Sequence, residues 1–453
     1  MAAQQVLDLI GNTPLVEVPH MDAGKCRLFL KLESQNPGGS IKDRIGRSMI
    51  EEAEREGRLK PGGTIIEATA GNTGLGLAQV AVLKGYKLIL VVPDKMSREK
   101  IFHLKAMGAE VILTRSDVGK GHPEYYQDIA QRIAQETGAF YVNQFGNPAN
   151  PLAHETTTGP EIWEQMDHDV DAMVCGVGSG GTLAGLSRYF ARISPRTEMI
   201  LADPVGSILA DYIHTGKYGA AGSWIVEGIG EDFIPPIADL SRVRKAYSIS
   251  DEESCRTVRN LLTKEGILAG SSSGTLIAAA LRYCREQKSP KRVVSFVCDS
   301  GNKYLSKVFN DYWLIDQGFL KRESFGDLRD LITRRHDQHA TVTIGPDDKL
   351  MTAYARMKLY DISQLPVLDN GKVVGIVDEW DLLIALQNDP DHFRSPVRTA
   401  MTQRIETVGL KTPVGELTRV FNNGHVVIVV DGGQFYGLIT RMDVLNNLRN
   451  RAP

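Results

Sequence analysis

The sequence predicts an α/β protein with parallel sheets, followed by a second, smaller module. From residue 1 to 315, short apolar strands alternate with amphipathic helices. This βαβα rhythm is typical of parallel sheets that are covered by helices on both faces. Beyond that part, a strand–turn–strand–helix unit occurs twice. The length of 453 residues suits two or three domains.

The predicted strands of the first part are short apolar runs. They lie at 28–32, 64–67, 87–92, 110–114, 172–175, 199–202 and 293–297. Apolar residues at helical spacing predict intervening helices, which lie at 74–84, 98–107 and 124–136. Because the strands are apolar on both faces, we expect most of them to be buried inside the sheets.

The domain organisation follows from a change of composition near Asp316. We predict a first domain at 1–315, a charged linker at 316–334, and two repeats at 335–390 and 395–453. Gly375 and Gly437 occupy equivalent positions in the repeats, 62 residues apart. Two copies are too few for a solenoid, so we expect a pseudo-symmetric pair with a shared interface.

Composition excludes several classes of function. The chain is 42% hydrophobic and 24% charged, with a net charge of −3, so we expect no nucleic acid and no membrane as partner. No apolar run reaches the length of a membrane span, and no signal-peptide pattern is present. Five scattered cysteines without a C-x-x-C pair indicate a reducing cytoplasm and no structural zinc site, and the ten histidines are also dispersed.

The first candidate for chemistry is Lys42, in the run Gly38-Gly39-Ser40-Ile41-Lys42. This run follows the strand 28–32 and precedes a helical pattern. A lysine at such a junction, flanked by small residues, can reach into a cleft. Most lysines in such positions are simply solvated, so the functional interpretation needs support from elsewhere in the chain.

Three further loops supply that support. In Thr69–Gly74, free backbone N–H groups at a helix start suit a carboxylate, and Asn72 adds a side-chain amide. The loop Gly176–Thr182 suits a phosphate in the same way, although it also matches the G-x-G-x-x-G pattern of dinucleotide folds. The loop Gly270–Gly274 is by itself typical of a helix cap.

Four segments, in this order, resemble those of pyridoxal-phosphate enzymes of the tryptophan-synthase β-subunit type (fold type II), in the cysteine synthase and cystathionine β-synthase branch. They lie at 36–44, 69–74, 178–182 and 265–274. The opening stretch 10–15 also fits that branch. The two C-terminal repeats are similar to paired CBS domains (a Bateman module), which often bind adenosine-containing ligands. The resemblance therefore implies a two-part catalytic domain with a regulatory tail.

The resemblance also implies residue roles. Lys42 would hold the aldehyde of pyridoxal 5′-phosphate and move the substrate proton, and Glu227 would face the second substrate. The implied cofactor-binding residues are Lys42, Asn72, Gly178, Ser179, Gly180, Gly181, Thr182 and Ser272. The implied contacts to the substrate carboxylate are Thr69, Gly71, Thr73 and Gln144.

In the second repeat, Thr440 and Asp443 match the positions that contact the phosphate and ribose of an adenosine-containing ligand. S-adenosylmethionine or an adenine nucleotide would fit such a site. The first repeat has Asp378 where a hydroxyl residue is usual, and a carboxylate there would repel a phosphate.

The implied activity is a β-replacement that condenses L-serine and L-homocysteine to cystathionine, in a homodimer or larger homo-oligomer, with hydrogen sulfide production from cysteine as a side activity. We expect no heme, because the heme-binding segment of animal enzymes has no room before Gly11. Ala70 and Phe145 favour an alternative, a cysteine synthase that uses O-acetylserine and sulfide. An adenosyl-ligand sensor with a vestigial enzyme half and a nicotinamide-linked dehydrogenase are further alternatives.

Overall fold

The computed structural model describes residues 3, 5–69, 71–94, 96, 98–119, 121–387 and 390–451. The chain divides into two compact units, at 1–309 and 310–453. Each unit has its own hydrophobic core. No helix in the described ranges is long and apolar enough to cross a membrane.

The first unit alternates strands and helices. Its strands are β1 (Leu15–Glu17), β2 (Arg27–Leu32), β3 (Thr64–Ala68), β4 (Lys87–Pro93), β5 (Glu110–Thr114), β6 (Phe140–Tyr141), β7 (Ala172–Gly176), β8 (Glu198–Pro204), β9 (Val243–Ile249) and β10 (Arg292–Val297). Its helices are α1 (Lys42–Arg55), α2 (Asn72–Lys84), α3 (Arg98–Ala106), α4 (Tyr126–Thr137), α5 (Ala149–Ala153), α6 (Gly159–Gln165), α7 (Gly181–Ile193), α8 (Leu209–Thr215), α9 (Asp251–Glu265) and α10 (Ser271–Arg285). The predicted strands are all present, and their ends lie within two residues of the predicted ones.

Two sheets organise this unit. One has the strand order β1-β2-β10-β7-β8-β9 and the other β5-β4-β3-β6. All their pairings are parallel except that of β1 with β2. β10 shows why the strands were recognisable, since five of its six residues are buried and all but two are apolar. Parallel pairing of β2, β10 and β7 brings the loops after these strands to the same edge of the sheet.

The second unit contains the two repeats. Its helices are α11 (Asp311–Asp316), α12 (Leu350–Tyr360), α13 (Glu379–Leu386), α14 (Val414–Asn422) and α15 (Arg441–Arg451). Its strands are β11 (Gln364–Asp369), β12 (Lys372–Asp378), β13 (Thr407–Val408), β14 (Val427–Asp431) and β15 (Gln434–Ile439). Each repeat builds an antiparallel hairpin followed by a helix. Leu328, Leu331 and Ile332, from the stretch predicted to be a linker, are buried in the core of the second repeat.

Candidate active site

A cavity of about 250 Å³ lies at the sheet edge where the loops after β2, β7 and β10 meet. The predicted residues that line it are Lys42, Thr69, Asn72, Thr73, Gln144, Gly178, Ser179, Gly180, Gly181, Thr182, Glu227 and Ser272. Gly71 lies outside this lining. Its φ is +115°, and a Cβ there would come within 2.8 Å of Lys100 Cδ. Segments far apart in the chain therefore converge on one cavity.

Lys42 is the first residue of α1 and is half-buried. Its backbone N–H donates to Ser40 Oγ at 3.2 Å, and the N–H of Ile41 donates to the carbonyl of Cys298. Burial lowers the pKa of the Lys42 ammonium below its ordinary value, against the opposing effect of Cys298 and Asp299. The cavity therefore favours the neutral amine, which is the form that can act as a base or nucleophile.

The glycine loop before α7 forms a close-fitting cradle. Gly180 has φ +88°, which favours glycine. A Cβ at Gly178 would lie 2.5 Å from the carbonyl oxygen of Gly228, and one at Gly181 would lie 1.8 Å from Asn150 Oδ1. The loop thus admits no side chains at these positions, and it points the free N–H groups of the start of α7 at the cavity. This arrangement fits a phosphate group.

Two hydroxyls complete the cradle. Ser179 Oγ accepts from Asn150 Nδ2 at 2.9 Å, and Thr182 Oγ1 lies 3.2 Å from His154 Nε2. Burial lowers the pKa of His154 well below its ordinary value, so its ring is neutral. Asn150 and His154 therefore orient the hydroxyls of Ser179 and Thr182 without adding charge.

Side-chain hydrogen bonds hold the start of α2 against the loop after β6. Thr73 Oγ1 donates to Gln144 Oε1 at 2.7 Å, and Gln144 Nε2 donates to the carbonyl of Ala68 at 3.1 Å. Phe145 lines the same cavity and contacts the ring of Phe233. Ala70 lies outside the described residues. Thr69, Thr73 and Gln144 thus line the same cavity, and a hydrogen bond joins the last two.

Ser272 lies in the first turn of α10, is buried, and faces the cavity beside Cys298. Burial raises the pKa of the Cys298 thiol to about 12, so the thiol is neutral. The sequence reasoning did not select Cys298. A neutral hydroxyl and a neutral thiol therefore form this wall of the cavity.

Glu227 is bound by two lysines that the sequence reasoning missed. Lys100 Nζ and Lys307 Nζ each lie 2.8 Å from one oxygen of its carboxylate. Burial alone would raise the pKa of Glu227, but the two lysines hold it below its ordinary value. Lys100 Nζ also donates to Tyr304 Oη at 2.7 Å. The carboxylate is therefore ionised at the cavity wall.

Asp299 and Lys303 extend this network to Asn72. Asp299 Oδ2 accepts from Asn72 Nδ2 and from Tyr304 Oη, both at 2.7 Å. Lys303 Nζ donates to Asn72 Oδ1 at 3.0 Å. Asp299 and Lys303 follow β10 directly. They therefore lie at the same sheet edge as the glycine loop that follows β7. Their position directly after a predicted strand is the sequence feature from which they could have been identified.

Thr440 and Asp443 lie in the second unit, at the start of α15. The backbone N–H and the hydroxyl of Thr440 donate to Asp443 Oδ2, at 2.7 and 2.6 Å, and Thr333 donates to the other oxygen. Asp378 and Asp381 form the matching capping box in the first repeat. The motif thus caps a helix in both copies, and its role toward a ligand stays a prediction.

The fold and the cavity together define an α/β enzyme in which a lysine with a lowered pKa faces a phosphate cradle. The chain belongs to the pyridoxal-phosphate dependent enzyme family, whose model matches residues 6–299. It also carries two CBS domains, at 328–388 and 397–450. The cofactor is therefore pyridoxal 5′-phosphate, and the lysine, the side-chain-free cradle and the Asn72 amide fit it. The predicted family, fold class and cofactor are confirmed, and the dinucleotide alternative is wrong.

Similar proteins span both parts of the chain. Cystathionine beta-synthase of Dictyostelium discoideum is 36% identical over 98% of this chain and 92% of its own length. That of Saccharomyces cerevisiae is 33% identical over 98% and 97%. Cysteine synthase A of Escherichia coli K12 is 43% identical, but over 66% of this chain and 92% of its own. The cystathionine beta-synthases thus match the tail as well as the enzyme part.

Among solved structures, a hydrogen sulfide-producing enzyme of Fusobacterium nucleatum has a TM-score of 0.63 at 38% identity, covering 67% of this chain and all of its own. O-ureido-L-serine synthase has a TM-score of 0.64 at 32% identity, covering 70% and 100%. These likenesses support the fold of the enzyme part.

Proposed function

We propose that this enzyme condenses L-serine with L-homocysteine to give cystathionine and water. The observation that carries the proposal is Glu227, an ionised carboxylate in the wall of the cavity that also holds Lys42. Homocysteine carries an ammonium group that a carboxylate can bind, whereas sulfide does not. The likeness to cystathionine beta-synthases over nearly the whole chain supports the same substrates.

The cofactor, when bound, supplies an electron sink for the charge that develops at Cα of serine. The glycine loop Gly178–Thr182 would hold its phosphate, Asn72 its ring oxygen and Ser272 its ring nitrogen. Ser272 is a neutral donor rather than a carboxylate, so it leaves that nitrogen without a proton. A neutral hydroxyl from Ser272 at this nitrogen would favour elimination at Cβ over transamination.

Lys42 would hold the cofactor covalently, and its amine would become free when the amine of serine binds in its place. The free Lys42 amine would then remove the proton from Cα in its neutral form, which burial favours by lowering the Lys42 pKa. Thr69, Thr73 and Gln144, which line the cavity, would bind the carboxylate of serine and fix Cα near Lys42 Nζ. Hydroxide would leave Cβ and take up the thiol proton to form water as the sulfur of homocysteine bonds to Cβ, and the Lys42 ammonium would return its proton to Cα.

A cysteine synthase reaction with O-acetylserine and sulfide is the second candidate. Phe145 supports it, because no hydroxyl at this position can assist the departure of hydroxide. Acetate leaves without such help. Hydrogen sulfide release from cysteine would use the same residues. A sensor with a vestigial enzyme half is disfavoured by the complete set of cavity residues.

The proposal extends to assembly and regulation. We place the enzyme in the cytoplasm because its five cysteines are all unpaired thiols, and we expect a homodimer or larger homo-oligomer. Thr440 and Asp443 would hold S-adenosylmethionine or an adenine nucleotide. An absorbance scan of the purified protein should show the band of the lysine-bound cofactor and no Soret band, which would otherwise indicate heme.

The experiment that tests the proposal measures turnover for each donor, serine or O-acetylserine, with each acceptor, homocysteine or sulfide. Products are identified by mass spectrometry. We expect the largest kcat/KM for a homocysteine reaction, with serine as an effective donor. Cysteine formation from O-acetylserine and sulfide as the fastest reaction, with serine inert, would contradict it.

A further inference from the structure

Lys303 connects three segments of the active site, although it was not among the predicted site residues. It lies in the short helical turn Gly301–Tyr304 after β10, and only 8% of it is exposed. Its Nζ donates to the carbonyl oxygens of Gly38 and Gly39 at 3.0 and 3.1 Å. The third hydrogen bond goes to Asn72 Oδ1 at 3.0 Å. A lysine ammonium has three donors, so all of them are used.

These contacts determine which way the Asn72 amide faces. Lys303 can only donate, so the amide oxygen must point at it. Asp299 Oδ2 accepts a hydrogen bond here, so the amide nitrogen of Asn72 points at it, 2.7 Å away. Lys303 and Asp299 therefore favour the same orientation of the Asn72 amide. The amide nitrogen has a second hydrogen, and Asn72 lines the cavity, so that hydrogen is available to an acceptor there.

The two remaining contacts of Lys303 hold the loop that leads into Lys42. Gly39 has φ +73°, and its N–H donates to the carbonyl of Asn36 at 2.7 Å. The carbonyls of Gly38 and Gly39 thus turn toward Lys303 from the loop that starts α1. One ammonium therefore sets both the direction of the Asn72 amide and the position of the loop before the cofactor-binding lysine.

We propose that Lys303 is a positioning residue for the cofactor, which orients the Asn72 amide so that its nitrogen donates to the ring oxygen. The proposal rests on the proposed role of Asn72. The ring oxygen of lysine-bound cofactor is either negatively charged, in the form that absorbs at longer wavelength, or protonated, in the form that absorbs at shorter wavelength. A fixed N–H donor stabilises the charged oxygen. Lys303 thereby favours the longer-wavelength form.

The test compares absorption spectra of the full-length, cofactor-loaded protein. Lys303→Met removes all three donors while keeping the length of the side chain. We expect the ratio of the longer- to the shorter-wavelength band to fall about fivefold, the equilibrium equivalent of one net hydrogen bond. Lys303→Arg keeps the charge and the donors and should retain most of the ratio.

The matched control is Lys291→Met. Lys291 precedes β10, at the opposite end of the strand from Lys303, and its Nζ also makes hydrogen bonds, to Tyr283 and Glu198. This variant loses a comparable lysine away from the cavity. We expect an unchanged band ratio and unchanged turnover.

The mechanism is checked by combining Lys303→Met with Asn72→Ala. If Lys303 acts through Asn72, the double variant should have the same band ratio as Asn72→Ala alone. A fivefold change by Lys303→Met that persists in the Asn72→Ala background would overturn the proposal. So would a folded, cofactor-loaded Lys303→Met protein with the wild-type ratio.

Should Lys303→Met fail to fold, Lys303→Ala gives the same readout, and an unchanged ratio in that variant also overturns the proposal. The spectra do not depend on which substrates the enzyme uses. A changed band ratio in an enzyme that makes cysteine rather than cystathionine would therefore keep the positioning role and reject the proposed function.

Discussion

At the scale of single residues, burial affects the two key ionisable groups differently because their neighbours differ. It lowers the pKa of Lys42 and so favours the neutral amine. It would also favour a neutral Glu227, but Lys100 and Lys307 reverse that effect. Within one cavity, the pKa of the lysine and the pKa of the carboxylate are therefore both lowered, the first by burial and the second by neighbouring lysines.

Lys42→Ala should abolish both the visible band of lysine-bound cofactor and turnover, because Lys100, the other described lysine in the cavity lining, is already bound to Glu227 and Tyr304. The measurement is an absorption spectrum with a parallel activity assay. Lys60→Ala is the control, since Lys60 is exposed on the surface. Turnover above about one thousandth of wild type would contradict the role of Lys42 as base.

Glu227→Gln should raise the KM for homocysteine about tenfold or more, because a neutral amide loses a charge-assisted contact to the ammonium group. The KM for serine should change little. Steady-state kinetics with sulfide as the acceptor provides the control, since sulfide has no ammonium group. An equal loss with both acceptors would mean that Glu227 acts only by holding Lys100 and Lys307.

The sequence led to part of this site. Lys42, Asn72 and the glycine loop were recognisable because each follows a strand and opens a helix. Asp299 and Lys303 also follow a predicted strand, so the same signal could have found them. Lys100 was not recognisable, because its contact with Glu227 spans 127 residues of the chain.

At the scale of secondary-structure elements, the packing of α1 against α2 positions Lys42. A Cβ at Gly46 would lie 2.6 Å from the carbonyl carbon of Gly76, and a Cβ at Gly76 would lie 2.6 Å from the carbonyl oxygen of Lys42. Glycine at both positions thus lets the two helices approach closely. Apolar periodicity predicted α2, but it gave no indication of this contact.

Gly76→Ala should destabilise the first unit by about 1–3 kcal/mol, because the added methyl group forces the helices apart. Turnover should fall as well, since the contact lies at the backbone of Lys42. Denaturant unfolding and kinetics measure the two effects. Gly415→Ala is the control, because Gly415 lies in α14 with open space around it, and it should stabilise its helix by up to about 1 kcal/mol.

At the scale of the whole molecule, the order of the parallel strands explains why distant motifs meet. β2, β10 and β7 are neighbours, so the loops that follow them share one edge. The apolar runs predicted these strands but not their order. The stretch 316–334 was predicted to be a linker, but its residues Leu328, Leu331 and Ile332 pack into a core whose other members lie about 80 to 110 positions later in the chain.

A buried ion network ties the first unit together. Arg44 donates to both oxygens of Glu161 at 2.7 Å, and Lys31 Nζ lies 2.8 Å from the same carboxylate. Burial alone would raise the pKa of Glu161, but these partners lower it to about 2. A lowered pKa in the folded state stabilises the fold above the unfolded pKa of about 4.5, and this stabilisation is lost as pH falls toward 2.

Glu161→Gln should therefore destabilise the first unit at neutral pH. The difference in free energy of unfolding from wild type should stay constant above pH 4.5 and narrow below it, by up to about 1.4 kcal/mol per pH unit. Urea unfolding across this pH range measures it. Glu17→Gln is the control, because the ion pair of Glu17 with Arg27 is exposed and should contribute less than about 1 kcal/mol. A difference that does not depend on pH would contradict the ionic role of Glu161.

A single competition reaction decides between the two candidate activities. Isotope-labelled serine, unlabelled O-acetylserine, homocysteine and sulfide are offered together at equal concentrations, and the products are separated by mass. The product ratio reports the ratio of kcat/KM values directly. We predict that cystathionine exceeds cysteine and that much of it carries the label from serine. Unlabelled cysteine as the main product would show that the enzyme is a cysteine synthase, and that Glu227 does not select the acceptor.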